Sequence, residues 1–204
     1  MKYNELTLGQ IEAIVNKLGG IEGAKAFLQG TVEIVVKPII KPIIHWFGTT
    51  ETSATTENFA AKNKFRKDSK EVKFYEIWEY FAKRFLAGNG KIEEPLNGQE
   101  LRYGNLTKSS VDGPIIEELG GEAKAETTLT ELWDLLKKQA NGEEGDLMTG
   151  DCSNIFYIRD ITGALISVRL DWGGGGWEVY ADRIDAPESW PAGTRIFSRH
   201  STKV

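Results

Sequence analysis

The hydrophobic pattern of this chain changes period along its length, and the clearest stretch is the last one. From Asn154 to Arg199 apolar residues recur at every second position, which is the spacing of half-buried β-strands. In Ile155–Asp160, Phe156 and Ile158 share a face. Asp160-Ile161-Thr162-Gly163 suits a type I turn with glycine at the left-handed position. In the next run Ile166, Val168, Leu170 and Trp172 face one way, and Leu165, Ser167, Arg169 and Asp171 face the other. Gly173–Gly176 reads as a mobile loop. Beyond it Trp177, Val179 and Ala181 alternate with Glu178, Tyr180 and Asp182. Slipping the register by one residue would put the charges inside, so the pairing of this antiparallel meander is well specified. After Pro187 and Pro191, Gly193–Ser198 adds a fourth strand through Ile196.

Upstream the period is helical. Thr7-Leu8-Gly9-Gln10 is a capping box, with the hydroxyl and the glutamine side chain each satisfying a free amide. Leu8, Ile11, Val15 and Leu18 then form a stripe, and Gly19-Gly20 stops the helix. Ile21–Gln29 makes a second short helix ending at Gly30, which completes a helical hairpin. That second helix carries one cation, Lys25, whereas a DNA-recognition helix needs several long polar side chains. The hairpin therefore reads as a packing or docking unit.

Thr31–Val36 is β-branched, and the tandem Lys37-Pro38-Ile39-Ile40 and Lys41-Pro42-Ile43-Ile44 follows. Proline at every fourth residue forbids a continuous helix, so Thr31–Ile44 is expected to be an extended arm. Its apolar residues Val36, Ile39, Ile40, Ile43 and Ile44 need a cover, either their own domain or a second copy of the chain. Gly48–Asn58 has six Ser or Thr residues and reads as a flexible linker or loop.

Phe74–Leu86 shows Phe74, Ile77, Trp78, Phe81 and Phe85 at amphipathic-helix spacing. Glu100–Tyr103 is a short strand, and Asp112-Gly113-Pro114 is a turn. A second capping box at Thr128–Glu131 opens a helix with Leu129, Leu132, Trp133 and Leu136, placed to cover the apolar face of the meander. The fold class is α+β. Residues 1–47 form the helical hairpin and arm, 48–58 the linker, and 59–204 a domain whose antiparallel meander packs on one or two helices.

Charge adds an asymmetry to this picture. Residues 60–91 hold nine basic and four acidic residues, and residues 92–146 hold five basic and thirteen acidic. The bland reading is that the two blocks pack side by side. The net charge of −5 argues against a dedicated nucleic-acid binder, although the basic residues of 60–91 interleave with aromatics as in a single-strand stacking platform. Cys152 is the only cysteine, and the two histidines, His45 and His200, lie far apart, so no disulfide and no zinc site is expected within one chain. The start lacks the apolar run of a signal peptide, and no window reaches the length of a membrane helix. A cytoplasmic protein without membrane contact and without a cofactor is the expectation.

The polar face of the meander brings Tyr157, Arg159, Arg169, Asp171 and Tyr180 together with Glu178 and Asp182. It reads either as a recognition patch with arginine as the anion-reading group or as ordinary cross-strand charge pairs. The four glycines lack the Lys-Ser/Thr and the following helix of a phosphate loop, and no nucleophile elbow, zinc-protease or dinucleotide motif occurs. No catalytic residue and no metal ligand is assigned. The opening LTLGQIEAIVNKLGGIEGAKAFLQGTVEIVVK and the ending NIFYIRDITGALISVRLDWGGGGWEVYADRID resemble a group of uncharacterised bacterial proteins, frequent in genomes of candidate phyla, that share such an N-terminal segment and a Trp/Tyr/Arg-rich β-hairpin. The resemblance implies that hairpin and meander are paired modules, and it brings no activity with it. The expected function is non-catalytic binding to another protein or to a second copy of the chain. A nucleic-acid-associated regulator using residues 60–91 is the alternative, and a carboxylate-dependent hydrolase the second alternative.

Overall fold

The computed structural model describes residues 6–33, 42–186 and 188–199. The chain divides into two compact units, Met1–Lys41 and Pro42–Val204. In the first, α1 (Leu8–Lys17) and α2 (Gly20–Leu28) form the expected hairpin. The capping box is present: Thr7 N donates to Gln10 Oε1 at 2.8 Å, and Gln10 N donates to Thr7 Oγ1 at 3.3 Å. Gly19 adopts φ 88°, the left-handed conformation that lets the chain reverse between the helices. Neither helix buries a residue. Of the expected arm, Val36, Ile39 and Ile40 lie outside the described residues.

The second unit is built on an eight-stranded mixed sheet. Its strands are β1 (Ile44–Glu51), β3 (Phe74–Ile77), β5 (Glu100–Leu106), β6 (Glu126–Thr127), β7 (Asn154–Arg159), β8 (Leu165–Gly173), β9 (Gly176–Arg183) and β10 (Arg195–Arg199). The order is β1-β5-β10-β7-β8-β9-β3, with β6 beside β7, and β2 (Phe59–Ala60) and β4 (Ile92–Glu93) form a separate pair. The meander β7-β8-β9 has the register that its alternation implies, Phe156 opposite Val168 and Leu170 opposite Val179. The glycine run is a tight two-residue turn rather than a mobile loop. Gly173 pairs with Gly176, and Gly174 and Gly175 take φ 57° and 83°, the left-handed pair that matches strand twist.

Strand β10 does not extend the meander. It runs parallel to β7 and antiparallel to β5, in the middle of the sheet. Ile196 and Phe197 point to opposite faces and both are completely buried, so this strand needs cover on both sides, which only a central position provides.

Each face has a helical layer. On one, α7 (Leu129–Lys138) lays Leu129, Leu132, Trp133 and Leu136 in a core with Phe156, Ile158, Val168, Leu170, Trp177 and Phe197. Its N-terminus is held by Glu93, whose two oxygens accept from Leu129 N at 3.0 Å and Thr130 N at 2.8 Å. On the other face α5 (Asp112–Leu119) packs Ile115, Ile116 and Leu119 with Ile44, Leu106, Ile155, Tyr157 and Ile196. The remaining helical pieces are α3 (Ala61–Lys64), α4 (Glu79–Phe81), a π-helical turn Ala82–Leu86 and α6 (Glu122–Ala125).

Four further sequence expectations change or are decided. Of the two covers considered for Ile43 and Ile44, their own domain or a second copy, the first holds: they are core, 6% and 2% exposed, and Glu118 of α5 accepts from both backbone amides at 2.7 and 2.9 Å. Gly48–Glu51 is the second half of β1, not linker, and Thr52 and Thr55 are tied by backbone bonds to Gln99 and Leu96. Threonine suits an exposed edge strand as well as it suits a loop, so the polar composition misleads. Phe74–Leu86 is not one helix, because β9 offers a free edge on which Phe74–Ile77 adds as a parallel strand. Asp112-Gly113-Pro114 opens α5, where proline is tolerated because the first-turn amides have no intrahelical acceptor.

Candidate functional site

The α5 layer covers only part of its sheet face, and the uncovered part is the candidate site. Two cross-strand rows run from the covered end to the open one. Tyr157, Ser167 and Asp182 form the first, and Ile155, Arg169 and Tyr180 the second. Alternation puts these side chains on a single face. At the open end the Arg169 guanidinium lies 3.8 Å from the Tyr180 ring centroid, approaching from β8. From the β3 side Trp78 stacks on Tyr180, with centroids 5.0 Å apart and planes 18° from parallel. The result is a ladder of three planar groups, Trp78, Tyr180 and Arg169.

Glu178 locks the ladder. It accepts from the Tyr180 hydroxyl at 2.5 Å and from Trp78 Nε1 at 3.3 Å. Burial, with the bond to Glu178, pushes the Tyr180 phenol up to about 12, so it stays a donor at neutral pH. Arg169 Nε is 3.2 Å from Asp171. Trp78 remains 46% exposed although it is braced on one side, and it lies where β3 ends. A large apolar ring held rigid in solvent is the kind of group that anchors interfaces.

Beside the ladder is a cavity of about 390 Å³ lined by Trp78, Glu79, Tyr80, Lys83, Tyr180 and Asp182. The Asp182 carboxylate makes no hydrogen bond or ion pair among the described residues. Partial burial raises its pKa, the Arg169 charge opposes the rise, and Glu188 adds to it. A second cavity of about 450 Å³, lined by Tyr80, Arg84, Leu165, Arg183 and Asp185 among others, adjoins the first across Tyr80.

The covered end is closed chemically as well. The Tyr157 hydroxyl and Trp190 Nε1 each donate to Asp112 Oδ1 at 2.7 Å. Burial raises the Asp112 carboxyl above its ordinary value, against the lowering effect of its two donors. Burial, followed by the nearby Asp112 charge, holds the Tyr157 phenol well above its ordinary value. This triad ties α5 to the sheet and opens to no cavity described above.

Of the residues singled out in the sequence, Arg169, Asp171 and Tyr180 come together. Tyr157 does not join them, because α5 buries it completely. Arg159 is also elsewhere: it bonds to Glu126 at 2.9 Å, Glu122 at 3.1 Å and the Gly163 carbonyl at 2.9 Å, fastening α6 to the turn after β7. The pattern missed Trp78. Its helical spacing to Phe74 and Phe81 pointed to the core, and only the early end of β3 turns it outward. Among the described residues no three of His, Cys, Asp and Glu converge as metal ligands, and no helix is long and apolar enough to cross a membrane. The chain matches no protein-family model, no curated protein and no solved structure at a significant level.

Proposed function

We propose that this chain is a non-catalytic binding protein, that its recognition surface is the open end of the sheet around Trp78, Tyr180 and Arg169, and that its partner is another protein. The observation that carries this reading is Trp78 itself. It is close to half exposed, yet it is stacked on Tyr180 and hydrogen-bonded to Glu178, so little side-chain freedom remains to be lost on binding.

The alternatives have less support. In the basic segment 60–91, Lys64 pairs with Glu71, Arg66 with Asp68, Lys67 with Glu76 and Arg84 with Asp160, so much of its charge is already compensated. Three of these partners are local, and the acidic block supplies one more, Glu93, which lies 3.8 Å from Lys91. For a hydrolase, of the two carboxyls with raised pKa Asp112 is sealed by Tyr157 and Trp190 rather than presented to a substrate, and only Asp182 lines a cavity.

The test is selection from a displayed random-peptide library against the intact chain, followed by affinity measurements on Trp78→Ala and Tyr180→Ala. Both variants should bind the selected peptides at least about tenfold more weakly, equivalent to about 1.4 kcal/mol, with unchanged circular dichroism. Selected peptides that bind both variants at full strength would refute the assignment. Turnover in a substrate panel, abolished by Asp112→Asn or Asp182→Asn, would favour the hydrolase.

A further inference from the structure

The cavity beside the ladder combines an aromatic wall with a carboxylate that makes no hydrogen bond or ion pair among the described residues. Trp78, Tyr80 and Tyr180 supply the rings, and Asp182 supplies a half-buried acid that no described group pairs with. The other charges of the cavity are Glu79 and Lys83, neither in an ion pair. Within the lining two acids face one base; outside it, Arg169 partly offsets Asp182, and Arg84 lies over the Tyr80 ring at 5.7 Å, which leaves the outer face of Trp78 as the open ring surface. Ring faces are electron-rich and attract cations, most strongly when water is partly excluded. A carboxylate in the same cavity adds a charge-assisted hydrogen bond. Arg169 acts on Asp182 through its charge but makes no ion pair with it, because it lies over Tyr180 and its ion pair, at 3.2 Å, is with Asp171.

Resting on the reading that this surface binds a protein, we infer that the cavity receives a basic side chain of the partner, a guanidinium or an ammonium group, between the aromatic wall and Asp182. The raised carboxyl of Asp182 agrees with a site completed by an incoming cation, which would favour its ionised form. Lys83 has a defined part in this arrangement. It is the cavity's own cation, so it opposes the ligand, and its removal should strengthen binding. An acidic ligand would show the reverse dependence on both residues, and a neutral sugar stacked on Trp78 would show neither.

The experiment is a nuclear magnetic resonance titration of the full chain with N-acetyl-arginine amide, read at the Trp78 indole N–H, whose signal is assigned by its loss in Trp78→Phe. Saturable shifts are expected with the arginine probe. Much weaker shifts are expected with the uncharged isostere N-acetyl-citrulline amide and with N-acetyl-glutamate amide. Asp182→Asn should weaken arginine binding about tenfold, and Lys83→Ala should strengthen it several-fold. An equal response to citrulline, a preference for glutamate, weakening by Lys83→Ala, or no response to arginine at millimolar concentration would each overturn the inference. Library peptides that depend on Trp78 but carry no basic residue would sink this inference and leave the protein-binding reading standing. Arginine binding as described, with no Trp78-dependent peptide selected, would sink that reading instead.

Discussion

Tyr157 and Tyr180 occupy the same face of one sheet, on β7 and β9, with β8 between them. Tyr157 is fully buried beneath α5 and donates to Asp112. Tyr180 donates to Glu178, and the groups stacked against it reach solvent. Both phenols have raised pKa values, and both donate to a carboxylate. They differ in what lies above them. At the β7 end a helix supplies Ile115, Ile116 and Leu119, so the polar triad is sealed and serves cohesion. At the β9 end no described helix of this unit covers the face, and the same residue types become a surface. Residue chemistry alone therefore does not mark a site; the extent of the covering layer does.

The largest expected contrast between the two ends is in stability. Ile155→Ala, under α5, should cost about 2–5 kcal/mol because the cavity it leaves cannot collapse fully. Trp78→Ala removes a larger side chain and should cost only about 1 kcal/mol, the value of one aromatic pair at a half-exposed position. Chemical denaturation of both variants checks this, and an equal loss would mean that the open end is also structural.

A smaller contrast separates two substitutions at Asp112. Asp112→Ala leaves the Tyr157 hydroxyl and the Trp190 N–H without an acceptor and should cost about 1–3 kcal/mol. Asp112→Asn keeps the acceptor and removes the buried charge, so it should recover most of that loss at neutral pH. Urea midpoints of the three proteins decide the matter, and an Asn variant as weak as the Ala variant would show that the charge itself is needed.

The pH dependence follows from the same group. The folded-state pKa of Asp112 is raised above its ordinary 3.8. Such a group contributes stability that is fully present below the unfolded value and is lost as pH rises through the folded value. The wild type should therefore lose stability, relative to Asp112→Asn, as pH climbs out of the ordinary aspartate range. Asp182, also raised, acts in the same direction and should be compared through Asp182→Asn. A difference that grows on acidification would reverse the assignment. The smallest effect belongs to Arg169→Ala, which removes one ring contact and one partly buried ion pair without a hydrogen bond at Nε and should cost about 1 kcal/mol. A larger loss in thermal or urea unfolding would make the ladder part of the core.

Where the sequence was readable, the determinants were local. Both capping boxes, at Thr7 and Thr128, are present because each needs only residues three apart. The register of β7, β8 and β9 followed from alternation, since a slip would exchange Leu170 for Arg169 in the core. The helix Leu129–Lys138 lies on the apolar face because its stripe and the sheet's have nothing else of matching size to cover them. Arg169, Asp171 and Tyr180 were legible as neighbours for the same reason.

Tertiary structure decided the rest. The insertion of β10 between β5 and β7 depends on partners roughly forty to ninety residues away, and no local pattern encodes them. The path of α5 buried Tyr157 and left Tyr180 open, although both carry the same alternating signal as their neighbours. The early end of β3 turned Trp78 from an expected core residue into the exposed ring of the candidate site, because a strand pairing on the edge of β9 displaced the helix that its spacing implied. Period and caps set the elements and their faces through contacts within a few residues. Which part of a face stays open is set by whether a distant element arrives to cover it.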